Sequence, residues 1–159
     1  MLSLQSEIDS LCAVSHELLH LGLDGEPIYS DRFRQLNTDV YHRCEHLFGS
    51  HGRTLEEEAS LCIALLTGYN ATIYDYGDKG QKKQAVLDRI YNVLEELPDS
   101  LLKVRLLTYT YGEVYEESML QEAHSIMDDW NKSVLTAEQM EVMEELKNIE
   151  ENPYPFEVI

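Results

Sequence analysis

Basic residues are scarce. Twelve Lys and Arg face 30 Asp and Glu, a formal net charge of −18 over 159 residues. So negative a surface repels phosphate backbones and anionic bilayers, which argues against unaided binding of DNA, RNA or membrane and makes a basic protein the natural partner. Cysteine is sparse too. Cys12, Cys44 and Cys62 are odd in number and have no CxxC spacing, so a disulfide framework is excluded and reduced cytosolic thiols are expected. Long apolar runs are missing: the longest, Leu61 to Leu66, is too short to span a bilayer, and MLSLQSEIDS meets acid before any such run, so neither a membrane span nor an export signal is expected. Stretches that alternate apolar and polar residues are also lacking, which removes the signal for strands.

What is present is helical periodicity. With 43% apolar residues the chain can bury about one domain's core. A first helix is predicted from about Ser3 to Leu21, with Leu4, Ile8, Leu11, Cys12, Leu18 and Leu19 on one face and Gly22 at its end. LDGEPIYS then turns the chain, and Ser30 can cap a second helix with Phe33, Leu36, Val40, Cys44, Leu47 and Phe48 on its stripe. Thr54-Leu55-Glu56-Glu57 has capping-box spacing and opens a third helix, running to about Tyr76. Besides its main stripe, Ala64, Gly68 and Ala71 would admit a second helix closely, so this element should be central. A fourth helix buries Val86, Leu87, Ile90 and Val93 and stops at Pro98. Leu101 to Tyr111 reads as a buried helix. Gly112 should break it from a sixth, whose stripe is Tyr115, Met119, Ala123, Ile126, Met127 and a buried Trp130. Thr136-Ala137-Glu138-Gln139 opens a last helix with Val142, Met143, Leu146 and Ile149. The expectation is an all-α bundle of about seven helices in antiparallel hairpins, with a tetratricopeptide-like stack as the alternative. Residues 1–151 should form one all-helical domain, with 152–159 an extended Pro/aromatic tail packed on or beside it.

The sharpest chemical motif is His16-Glu17-Leu18-Leu19-His20, the H-E-x-x-H spacing that would place two zinc ligands beside a glutamate base. It supports an alternative reading as a small zinc hydrolase built on His16, Glu17 and His20. Helical geometry, however, turns His16 and His20 toward solvent, and six histidines among twenty glutamates make such a match easy to reach by chance. His42 and His46 repeat the i,i+4 spacing but point away from their own apolar stripe, whereas a bundle metal site needs inward ligands. The cysteines fall on apolar stripes, as core residues that should react slowly with thiol reagents. Gly77-Asp78-Lys79-Gly80 lacks the GK[ST] of a phosphate loop and reads as a turn. No catalytic residue, cofactor or metal is therefore expected. Charge is uneven: residues 95–159 hold 16 acids and 4 bases, so −12 of the −18 lies there.

The chain resembles the UpxZ family of transcription anti-terminator antagonists in an ordered set of strings. These include Leu21-Gly22, Asp24-Gly25, Pro27-Ile28-Tyr29-Ser30-Asp31, Glu56-Glu57-Glu58-Ala59, Ala64-Leu65-Leu66, Gly68-Tyr69 and Ala71-Thr72-Ile73-Tyr74. Further on are Gln84-Ala85-Val86-Leu87-Asp88-Arg89, Ser100-Leu101-Leu102-Lys103, Tyr111-Gly112-Glu113-Val114, Glu122-Ala123-His124 and Glu150-Glu151-Asn152-Pro153-Tyr154-Pro155. The resemblance implies a cytoplasmic, non-enzymatic regulator from a capsular polysaccharide locus. Its partner would be a NusG-like anti-terminator of another such locus, with no direct contact to nucleic acid or membrane. On that implication, Glu144, Glu145, Glu150 and Glu151 become candidates for steering a basic partner, and Ile28, Tyr29, Tyr154 and Phe156 for discriminating apolar contacts.

Overall fold

The structure, a computed structural model, describes residues 3–21, 30–72 and 77–151. Seven helices account for most of them: α1 (Leu4–Leu19), α2 (Ser30–Phe48), α3 (Leu55–Ala71), α4 (Lys79–Glu96), α5 (Leu101–Val114), α6 (Glu117–Asp128) and α7 (Ala137–Glu151). No strand occurs among the described residues, and the protein is all-α. Its residues divide into two compact units, 1–95 and 96–159. Gly22, Ile28, Tyr29 and the tail with Tyr154 and Phe156 lie outside the described residues, as does the side chain of Ser30.

Helix starts follow local chemistry. Thr136 and Gln139 form a reciprocal box, the Thr136 N–H donating to Oε1 of Gln139 at 2.8 Å and the Gln139 N–H to the Thr136 hydroxyl at 3.0 Å. At α3 the Thr54 hydroxyl accepts the Glu57 N–H at 3.1 Å, while the Glu57 carboxylate reaches back to the N–H of Arg53 at 2.9 Å. Ser3 and Ser100 cap α1 and α5 in the same way, the latter a cap that periodicity alone did not single out. α3 ends earlier than expected, at Ala71 rather than near Tyr76, because Thr72 is extended with its hydroxyl donating to the Tyr69 carbonyl at 3.0 Å.

In the first unit, α1, α2 and α3 pack on one another. α3 is central, as its two-sided pattern implied: every residue from Leu61 to Tyr69 is buried. Gly68 permits the close approach. A Cβ there would stand 2.4 Å from Sγ of Cys44 on α2 and 3.2 Å from Cδ1 of Leu11 on α1. α4 is tied to this core by cations. Lys82 pairs with Glu45 of α2, and its ammonium lies 5.3 Å from the centre of the Phe48 ring. Arg89 gives Glu58 of α3 two hydrogen bonds, at 2.9 and 3.0 Å, and donates to the carbonyls of Phe48 and Ser50 at 3.1 and 2.8 Å. The Gly52 N–H completes the node, donating to Glu58 at 2.8 Å. Burial alone would raise the Glu58 carboxyl, but the Arg89 and Gly52 hydrogen bonds and the Arg89 charge outweigh it and hold Glu58 below the usual carboxylate range.

In the second unit α5 packs on both α6 and α7. Its core is Val104, Leu106 and Leu107 with Met119, Ala123, Ile126, Val142 and Leu146. Lys103 is buried yet paired, reaching Glu122 of α6 at 2.8 Å and Asp99 at 3.6 Å. Two expectations are corrected here. Gly112 does not break the chain: α5 continues through it, and the turn falls at Tyr115, a left-handed cap with φ 53° whose N–H donates to the Tyr111 carbonyl at 2.9 Å. Trp130 is half-buried rather than buried, because α6 ends at Asp128 and the ring sits beyond the helical stripe that would have turned it inward.

Two predictions follow from the first unit. Replacing a glycine inside a helix by alanine ordinarily stabilises by about 1 kcal/mol. At Gly68 the added methyl overlaps the buried Cys44 thiol, a cost of about 1–3 kcal/mol. Gly68→Ala should therefore destabilise the protein in urea unfolding, and adding Cys44→Ala should recover part of the loss. The second concerns Glu58. Its folded pKa lies below the unfolded value, so its contribution is full above pH ~4.3 and is lost as pH falls through the folded value. Glu58→Gln should remove that part of the acid dependence, and Arg89→Ala, which strands the half-buried carboxylate, should cost about 1–3 kcal/mol in chemical unfolding at neutral pH.

Candidate partner-binding surface

The histidine motifs face solvent. His16, Glu17 and His20 are all exposed on α1, His20 Nδ1 lies 2.7 Å from the His16 carbonyl oxygen, and Glu17 pairs with Arg32 of α2. The carboxylate that a hydrolase would use as base is thus held by a guanidinium. His42 and His46 are likewise exposed, with His46 Nε2 at 3.3 Å from Glu7. Among the described residues no group of three or more His, Cys, Asp or Glu is placed to hold a metal ion. Cys44 and Cys62 are fully buried, and burial, the largest cause, with the nearby carboxylates Glu45 and Glu58 respectively pushes each thiol up to about 12. Cys12, also expected on an apolar stripe, is only half-buried, so burial differs among the three thiols.

The four proposed steering glutamates do not form one face. Glu144 and Glu151 are exposed, one α7 heptad apart. Glu145 is half-buried on a different side, and its carboxyl is raised by burial and by Glu141 against a smaller lowering from Arg105 of α5. Glu150 is half-buried and paired with His124 of α6. Ile28, Tyr29, Tyr154 and Phe156 lie outside the described residues.

The second unit also holds a cleft that the sequence did not announce. It encloses about 520 Å³ between α6, the segment 131–136 and α7. Its apolar lining is buried Met127, half-buried Leu135 and Met143, and exposed Met140, with His124, Asp128, Lys132, Glu144, Lys147 and Glu150 as the polar lining. Lys132 donates to the Met127 carbonyl at 2.8 Å, fixing the segment to the end of α6. Val134 of the same segment is 69% exposed and Met140 is 52% exposed. Only one sequence signal pointed here: Met140 is apolar yet off the Val142, Leu146 stripe of its helix. Which loop residues would face it is a tertiary matter.

Apolar cleft, exposed aliphatic side chains and a surplus of carboxylates are the features of a protein-recognition module. The comparisons place it. The family model for the UpxZ family of transcription anti-terminator antagonists matches residues 8–112, and the chain belongs to that family, one of transcription regulators rather than enzymes. Among solved structures it is similar to a transcription anti-terminator antagonist UpxZ from Bacteroides uniformis, with 51% identity, 99% of each chain covered and a TM-score of 0.84. No curated protein matches it significantly. No helix among the described residues is long and apolar enough to cross a membrane.

The cysteines give a test of the burial pattern. Cys12 should label first with a thiol reagent in the native state, with Cys44 and Cys62 slower by on the order of tenfold or more, since both are sealed in the core and their thiolates are scarce at neutral pH. In Cys12→Ser the fast phase should vanish, as followed by mass spectrometry of the labelled protein.

Proposed function

We propose that this protein is a cytoplasmic, non-enzymatic antagonist that binds NusG-like anti-terminators of other capsular polysaccharide loci and blocks their action on polymerase or leader RNA. The observation that carries the reading is the full-length similarity to a UpxZ antagonist, supported by a charge of −18 suited to a basic protein partner and ill-suited to nucleic acid. Residues 1–151 act in this reading as one domain with the tail 152–159 beside it. Discrimination among similar anti-terminators is assigned to apolar contacts, with Ile28, Tyr29, Tyr154 and Phe156 as sequence-based candidates. Reading the chain as a zinc hydrolase gains nothing from the geometry, since Glu17 is engaged by Arg32 and the two histidines are exposed.

A reconstituted read-through assay tests it. Polymerase, a terminator-bearing leader and a NusG-like anti-terminator from a different locus should give read-through that falls as this protein is titrated in. Reversing the exposed Glu144 and Glu151 to Lys should raise the concentration needed for half-inhibition by on the order of tenfold. Read-through that ignores the wild-type protein for every such anti-terminator would overturn the reading.

A further inference from the structure

The cleft between α6 and α7 joins two properties that seldom coincide by accident. Its apolar surface is largely methionine, an unbranched and polarisable side chain that refits itself around a guest. Its surroundings are acidic: α7 carries six glutamates against the single base Lys147, and Asp128 and Asp129 stand at the end of α6. Its own lining sets Asp128, Glu144 and Glu150 against Lys132 and Lys147, with Lys132 drawn to the Met127 carbonyl and His124 beside Glu150. At about 520 Å³ the open cleft falls within the size range of ligand sites.

Resting on the reading above, we infer that this cleft is the docking site for a basic amphipathic helix of the antagonised anti-terminator. Apolar side chains on one face of that helix enter among Met127, Met140 and Met143, and Lys or Arg on its flanks meets Asp128 and Glu144. Two observations favour a helix over an extended strand. The α7 residues lining the cleft run from Met140 to Glu150 along one helical face, ~15 Å, which matches about three turns of a guest helix anchored at i, i+3, i+4 and i+7. Strand addition needs a sheet edge, and the described residues contain no strand. Charge selects among occupants. A second copy of a chain at −18 would set glutamate against glutamate, and residues 152–159 contain Glu157 and no base.

Methyl-labelled methionine reports the site directly, because the chain has five methionines and three line the cleft. Adding a NusG-like anti-terminator should shift or broaden the methyl signals of Met127, Met140 and Met143 and leave that of Met119, buried in the core, in place. Met140→Glu, a substitution at an exposed position, should raise Kd on the order of tenfold or more. Leu19→Gln, at an exposed apolar residue of α1, should leave Kd unchanged. Normal binding by Met140→Glu with unshifted cleft methionines would overturn the docking site while leaving the antagonist reading intact. Cleft shifts that depend only on protein concentration would assign it instead to a second copy. If no anti-terminator binds the wild-type protein, both inferences fall together.

Discussion

A shortage of cations governs this molecule. With 12 bases for 30 acids, each Lys or Arg that joins two elements is one fewer on the surface. The structure commits several to internal joints. Arg89 links α4 to α3 and to the end of α2, Lys82 links α4 to α2, Lys103 links α5 to α6, and Arg32 links α2 to α1. Lys79 donates to the Thr72 carbonyl at 2.6 Å and Lys132 to that of Met127 at 2.8 Å, closing the turns at which they stand. Charge is tolerated at half-buried Arg89 and buried Lys103 because each is paired and hydrogen-bonded, which offsets the desolvation that a lone charge would suffer. Other carboxylates stand exposed on α6 and α7, among them Glu117, Glu138, Glu141, Glu144 and Glu151, and on the proposed function their field is what an approaching partner meets first.

That division of labour separates two tasks. On the proposed function, long-range attraction comes from these exposed acids and is indifferent to which basic protein arrives. Holding one partner and refusing another requires shaped apolar contact, and the α6–α7 cleft is where the described residues offer it. Methionine suits the second task when the targets are a set of similar proteins, since its flexible thioether refits at small cost. The histidine pairs belong to neither task, being exposed on α1 and α2 away from any cluster of ligands among the described residues.

Local features were legible in the sequence, and tertiary ones were not. The capping boxes at Thr54 and Thr136 could be read because a cap needs only residues three apart. The central place of α3 could be read because small residues on a second flank have no other use, and Gly68 against Cys44 and Leu11 is the outcome. Helical geometry also sent His16 and His20 to solvent without any knowledge of neighbours. By contrast, Glu58 and Arg89 lie far apart in sequence, and neither carries a local sign of the other. Gly112 looked like a break because glycine weakens helices, yet burial of Leu106, Leu107 and Tyr111 in the turns just before it outweighed its propensity, and α5 runs on to Val114. The cleft depends on where the 131–136 segment lays Leu135 relative to Met127 and Met143, a relation no periodicity contains.

On the proposed function, uncompensated acid on a helical scaffold draws in a basic protein partner. Stopped-flow association with a NusG-like anti-terminator over a series of salt concentrations tests it most directly. Steering predicts an association rate that falls steeply as ionic strength rises, with a dissociation rate that changes far less. An association rate that stays level across the series would contradict the claim and leave recognition to apolar contact alone.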